Sequence, residues 1–216
     1  MHAYYSRRAQ EYEAIYHRND PLRQSELGSI RQRLREIFKN KRVLEIACGT
    51  GYWTEAIADI VKQITATDFS LEVLEIAKSK SSLQALQNRV IFQQADAYEL
   101  DTVNGTFDAG LANFWFSHIP KAKISHFLKE FHKKVGRGAV VFMCDNVYVP
   151  GVGGELIQKQ DSSDTYKLRT LSDGSTHEVL KNYFTRDELK AILGPCSTEL
   201  DIHIGQCYWW THYRAG

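Results

Sequence analysis

The sequence predicts an α/β fold, a doubly wound and mostly parallel sheet of seven strands. Three observations predict it. Short apolar runs alternate with helical patterns between residues 43 and 144. The run AVVFMC (139–144) is continuous and apolar, as a strand buried on both faces should be. The run VLEIA (43–47) leads directly into a glycine bend, Cys48-Gly49-Thr50-Gly51, and then into a helix.

The elements follow in order. Tyr5, Ala9, Tyr12 and Tyr16 are spaced by four, three and four, so they share one face of an N-terminal helix. Asn19-Asp20-Pro21 ends that helix. A second helix then carries Leu27, Ile30, Leu34 and Ile37 on its inner side. Residues 1–39 are thus expected to be helical and able to fold over a site as a lid. Strand one (43–47) precedes a helix from Tyr52 to Val61. ITAT (64–67) is a second strand, and Ser70 is placed to cap a helix to about Lys80. VIFQ (90–93) and FDAGLAN (107–113) are strands three and four, and Pro120 starts a helix to about Val135. Residues 40–145 form the expected core of a single domain.

The last third breaks the rhythm. TYKLRTL, SDG and STHEVLKNY predict a β-hairpin turning at Asp173-Gly174, inserted within residues 146–184 after strand five. Thr185 caps a short helix to Leu193, and strands at about 197–204 and 207–213 make an antiparallel pair on the sheet edge.

Composition bounds the function. Of 216 residues, 43% are apolar and 25% charged, which suits one globular domain. Lys plus Arg number 27 and Asp plus Glu 26, a net charge of +1 that favours neither a nucleic-acid nor a membrane surface. The start, MHAYYSRRAQ, has no apolar stretch behind its charges, and no run of 18 apolar residues occurs. The four cysteines form no C-x-x-C pair and read as reduced thiols. A cytoplasmic protein is expected.

Ligands of such sheets sit beyond the carboxyl ends of the strands, so the bend after strand one is the first place to look. Gly49 and Gly51 allow close backbone approach. A dinucleotide fingerprint would place Gly or Ala where Thr54 stands. Glu45, near the end of strand one, would repel a pyrophosphate and suit a ligand bearing an ammonium group. Asp68 ends strand two at the spacing of an acid that accepts ribose hydroxyls. Asp96-Ala97-Tyr98 follows strand three and could read a purine. Ribose, purine and ammonium without phosphate describe S-adenosyl-L-methionine.

In this order, ExACGTG, Asp68, Asp96 and FDAGLANFW resemble the motifs of class I S-adenosylmethionine-dependent methyltransferases over about residues 40–145. The resemblance implies the Rossmann-like fold of that family. It places the cofactor at Glu45, Ala47, Gly49, Gly51, Asp68, Asp96 and Ala97. Tyr5, Tyr52, Trp53, Phe69 and Asn113 complete the expected cofactor site. Ala47 stands where the family often has Gly. YYSRRAQEY, GTGYWT, WxxHxP (Trp115, His118, Pro120) and RTLxDG are similar to small-molecule O-methyltransferases, phosphonate O-methyltransferases among them.

Methyl transfer from a sulfonium is an in-line displacement that mostly asks the protein to position the acceptor and exclude water. Tyr4 or Tyr5, Trp53, Phe114 and Trp115 are candidates for cation–π contact or for core packing. With a three-residue loop at 172–174, Arg169 lies opposite His177 and Lys181 opposite Thr165, all on one face; a two-residue turn would separate the two cations. Together they could hold an acidic acceptor, or be solvated surface charges. Trp115 and His118 complete the expected acceptor site, with His118 as base, orienting group or structural partner.

Other motifs fall short. Asp145-Asn146 resembles part of a catechol-type metal site, but the acid needed after strand four is missing near Asn113. Asn113-Phe114-Trp115-Phe116 lacks the prolines of base-amino methyltransferases, and Pro195-Cys196 lies far from strand four. No metal and no nucleic acid are expected. The reading is methyl transfer to a small acidic acceptor at oxygen. An amine N-methyltransferase, a non-catalytic cofactor-binding module and a dinucleotide oxidoreductase are the rivals.

Overall fold

A computed structural model describes residues 12–170 and 174–216. Five strands run parallel at the centre: β1 (Arg42–Glu45), β2 (Gln63–Asp68), β3 (Val90–Gln94), β4 (Ala109–Asn113) and β5 (Val140–Asn146). β9 (Ser197–Ile204) and β10 (Tyr208–Ala215) close one edge, β10 lying antiparallel to both β5 and β9. The order is β3-β2-β1-β4-β5-β10-β9, so the chain reverses its winding between β1 and β4. That switch point is where such sheets open a crevice for a ligand.

Local chemistry fixes the helices. α1 (Pro21–Phe38) starts with Pro21 in its first turn, behind Asp20, whose side chain accepts from the Arg23 N–H. It buries Leu27, Ile30, Leu34 and Phe38; the sequence pattern named Ile37, but Phe38, one turn beyond Leu34, fills the core position and Ile37 is half-buried. α2 (Tyr52–Ile57) and α3 (Leu71–Ser79, capped by Ser70) follow β1 and β2, and α4 (Ser81–Gln84) is a single turn. α5 (Ile124–Val135) packs on β4 where Gly110 leaves room: a Cβ there would stand 2.6 Å from the Phe131 ring. α6 (Arg186–Leu193) opens with a capping box of Thr185 and Glu188. No helix of the described residues is long and apolar enough to cross a membrane.

The inserted hairpin belongs to a second, three-stranded antiparallel sheet of β6 (Leu156–Gln158), β7 (Thr165–Thr170) and β8 (Thr176–Leu180). Arg169 pairs with His177, the register that a three-residue loop demands, and Gly174 has φ of 80°. Residues 171–173 of that loop, and Tyr4, Tyr5 and Ala9 of the expected lid, lie outside the described residues. The first described turn is 3-10 helix from Tyr12 to Ile15.

Candidate active site

Two cavities meet at the carboxyl ends of the central strands. The first, about 290 Å³, is lined by Ala47 and Gly49 after β1, Asp68 and Phe69 after β2, Asp96, Ala97 and Tyr98 after β3, and Phe114, Trp115 and His118 after β4. Asp68 ties its walls together. One carboxylate oxygen accepts from the Gly49 N–H and the other from the Ser70 N–H, each at 2.9 Å. The bend reaches this position through left-handed backbone at Ala47 (φ 52°), Gly49 (56°) and Gly51 (80°). Asp96 accepts from the Tyr98 N–H at 2.9 Å. A carboxylate that accepts one or two such bonds keeps lone pairs for hydroxyl donors.

Glu45 does not line this cavity. The period of two along β1 puts it on the same face as Val43, beneath the bend and toward α2. There it is 2% exposed, and the Thr54 hydroxyl donates to it at 2.6 Å. Burial pushes its carboxyl up to about 8, and the negative charge of Asp68 adds to the effect. Thr54, which breaks the dinucleotide fingerprint, is thus the partner of this acid.

The described end of the N-terminal segment covers the bend. Glu13 accepts from the Thr50 hydroxyl at 2.6 Å and pairs with Lys80. Tyr16 stacks on Tyr52 with ring centroids 3.9 Å apart and meets Trp53 and Phe114 edge-on. Tyr52 and Trp53 therefore pack against the cover and line neither cavity.

The second cavity, about 100 Å³, lies between this cover, the loop after β5 and the small sheet. Arg18, Arg23, Arg169 and Lys181 line it, together with Phe114 and His118, which are shared with the first cavity. Lys181 is 4% exposed, so it is not a solvated surface charge. Its ammonium donates to Asp145 at 2.8 Å and to the Ser117 hydroxyl at 2.7 Å. Asp145 also accepts from the N–H groups of Ser117 and Asn146 at 2.9 and 2.8 Å. Burial alone would raise this carboxyl, but the charge of Lys181 and the hydrogen bonds from Lys181 and the Ser117 N–H hold it below its usual range; burial pulls Lys181 down against the pull of Asp145. Arg23 pairs with Asp20 at 3.1 Å. Among the described residues no carboxylate pairs with Arg18 or Arg169. The cavity is therefore electropositive.

His118 forms part of the wall between the two. Its Nδ1 lies 2.7 Å from the Leu180 carbonyl, which can only accept, so the ring proton sits on Nδ1. Burial first, and then Lys181, lower its pKa to about 3, so the ring is neutral. Phe114 completes the wall with φ of 55°, a conformation that costs a bulky residue about 1–2 kcal/mol. Its N–H is held by the Cys144 carbonyl at 2.8 Å. Strain of this kind collects at functional sites. Asn113, just before it, is 6% exposed, and both polar atoms of its side chain lack a partner among the described residues.

Of the residues singled out from the sequence, Ala47, Gly49, Asp68, Phe69, Asp96, Ala97, Trp115 and His118 line the first cavity. Trp115 was expected at the acceptor and instead faces the Asp68 side, because Phe114 takes the shared wall. Arg169 and Lys181 line the second cavity with His118. Glu45, Gly51, Tyr52, Trp53 and Asn113 line neither, and Tyr5 is outside the described residues. Arg18 and Arg23 were missed: they flank the helix break at Asn19-Asp20-Pro21, and no local pattern marks them.

Residues 43–138 match a family described as methyltransferase domain. The demethylmenaquinone methyltransferase of Porphyromonas gingivalis is 31% identical over 116 residues, 52% of this chain and 46% of the relative. That of Staphylococcus aureus is 31% identical over 108 residues, 49% of this chain and 43% of the relative. The chain thus matches less than half the length of these curated relatives. The solved DhpI–SAH complex is 26% identical with a TM-score of 0.77, covering 99% of this chain and 94% of that one. The DhpI–SAM–HEP complex gives 25% and 0.76, covering 98% and 94%.

Proposed function

We propose that this chain, a class I S-adenosylmethionine-dependent methyltransferase, methylates a small anionic acceptor, a carboxylate or a phosphonate, at oxygen. The carrying observation is the pair of cavities that share Phe114 and His118, one with two carboxylates at strand ends and the other with Arg18 and Arg169, which pair with no carboxylate among the described residues.

The first cavity fits the cofactor. Asp68 and Asp96 end successive strands, where ribose hydroxyls and a purine edge need acceptors, and Phe69, Tyr98 and Trp115 offer apolar faces.

Bound S-adenosylmethionine supplies an activated methyl on a sulfonium. The chain's own residues position its target. Arg169 and Lys181 hold the acceptor anion, with Arg169 suited to a two-pronged grip on carboxylate or phosphonate oxygens. Asp145 and Ser117 fix the Lys181 ammonium. His118, neutral and anchored on Leu180, orients the acceptor at the shared wall, and an ionised oxygen needs no base. Phe114 and the Tyr16 cover exclude water.

An amine acceptor would call for an unpaired carboxylate in the second cavity, and among the described residues none lines it. The resemblance of the sequence motifs to phosphonate O-methyltransferases also favours the anionic reading. Equilibrium dialysis with S-adenosylmethionine against NAD tests the cofactor. A label-transfer panel of small carboxylates, phosphonates, amines and a demethylmenaquinone analogue tests the acceptor. Preference for NAD, or transfer only to the neutral acceptors, would overturn the respective half.

A further inference from the structure

Between β5 and β6 the chain runs through Val149-Pro150-Gly151-Val152-Gly153-Gly154 and lines the cationic cavity with Val149, Val152 and Gly153. Two features hold this turn close to β7. The first is Lys167, 1% exposed, whose ammonium donates to the Gly154 carbonyl at 2.8 Å and the Val152 carbonyl at 3.3 Å. It lies 5.2 Å from the Tyr148 ring centre and 5.9 Å from that of Tyr183, and among the described residues no carboxylate pairs with it. A buried ammonium is costly unless carbonyl oxygens and aromatic faces replace its water, and that is what surrounds it here. The second feature is Gly154, with φ of 91°: a Cβ would stand 2.1 Å from the Leu168 carbonyl oxygen, so only glycine allows this approach.

What the turn presses against is Arg169. A Cβ on Gly153 would come within 2.6 Å of the Arg169 Nη1 and 3.2 Å of its Nη2. The guanidinium therefore lies close against bare backbone at the cavity wall. We infer that Gly153 and Lys167 are positioning residues for the acceptor: Lys167 holds the turn in place, and Gly153 backs the Arg169 guanidinium and sets where it grips the anion. This rests on the anionic-acceptor reading above. Lys167 lines neither cavity, and Gly153 borders the cationic one with no side chain to reach into it. Both act through Arg169, which makes their effects dependent on its presence.

The test uses inorganic phosphate as the probe, titrated calorimetrically into protein saturated with S-adenosylhomocysteine. Gly153→Ala changes no charge, so it separates position from electrostatics. Lys167→Met is the second variant, should the alanine at a positive φ lower the folding yield. The inference expects each to weaken phosphate by about fivefold or more, with S-adenosylhomocysteine affinity within about twofold of wild type. In an Arg169→Ala background, Gly153→Ala should add nothing, the non-additivity of groups that act as one unit. Unchanged phosphate affinity in both single variants, or a full additive loss in the Arg169→Ala background, would overturn it. If wild type and Arg169→Ala bind phosphate equally, the anionic-acceptor reading itself fails, and the positioning inference falls with it.

Discussion

Replacing Glu45 by Gln removes one titrating proton and keeps an oxygen for the Thr54 hydroxyl, which sits 2.6 Å away. In the folded protein the carboxyl titrates near 8, pushed up by burial, against a usual value of 4.5. Between those values the folded state holds a proton that the unfolded chain releases. Stability therefore falls as pH rises through this window, and below about pH 4.5 no penalty exists. At pH 7 the penalty is roughly 1.4 kcal/mol for each of about 2.5 pH units, or about 3 kcal/mol. Without ligand, Glu45→Gln should thus be more stable than wild type by about 2–3 kcal/mol at pH 7, a gain that shrinks toward zero near pH 4.5. S-adenosylmethionine affinity should stay near that of wild type, because Glu45 lies beneath the bend and lines neither cavity. Urea denaturation from pH 5 to 8 and calorimetric titration read the two effects. Loss of stability at pH 7 in the ligand-free variant would show that the carboxyl is already ionised, and the reasoning would fail.

The buried pair gives a second prediction. Lys181→Met leaves Asp145 charged and 0% exposed, so it should cost on the order of 3–5 kcal/mol. Lys181→Met with Asp145→Asn should regain most of that by denaturant melts, while methyl transfer stays abolished in both; equal stability of the single and double variants would contradict the pairing. His132 bonds the Tyr213 hydroxyl at 2.8 Å, and burial lowers its pKa to about 4. A depressed histidine stabilises above its unfolded pKa near 6.5 and loses that contribution as pH falls toward 4, so wild type should lose about 2 kcal/mol from this group at pH 5. His132→Gln should recover that share of the loss between pH 7 and 5, and an unchanged slope would refute the assignment. Asp68→Asn must present an amide N–H₂ to one of two backbone donors, Gly49 or Ser70, each 2.9 Å from a carboxylate oxygen. It should weaken S-adenosylmethionine by about tenfold or more and lower the melting temperature by several degrees; wild-type affinity would remove Asp68 from the site.

Much of this architecture was legible because its signals are local. The strand–bend–helix at 43–54, the Ser70 and Thr185 caps and the hairpin register all follow from residues a few positions apart. The register mattered most, since it put Arg169 and Lys181 on one face and so in one cavity. Legibility stopped where long-range packing decides. Nothing in the chain distinguishes Ile37 from Phe38 as the buried end of α1 until the sheet is in place. Nor does LIQ mark itself as a strand before β7 pairs with it. The side of β1 to which Glu45 points depends on α2 bringing Thr54 beneath it. Asp145 read as a possible metal ligand because its partner, Lys181, is 36 residues away. Arg18 and Arg23 enter the site only because the N-terminal segment folds across Phe114.

The central claim is that cofactor and anion occupy adjoining cavities on either side of Phe114 and His118. A crystal structure with S-adenosylhomocysteine and inorganic phosphate tests it most directly. The account predicts the nucleoside against Asp68 and Asp96 and the phosphate between Arg169 and Lys181, with the sulfur facing the phosphate past His118. Phosphate bound away from Arg169, or a nucleoside lodged among the arginines, would contradict it.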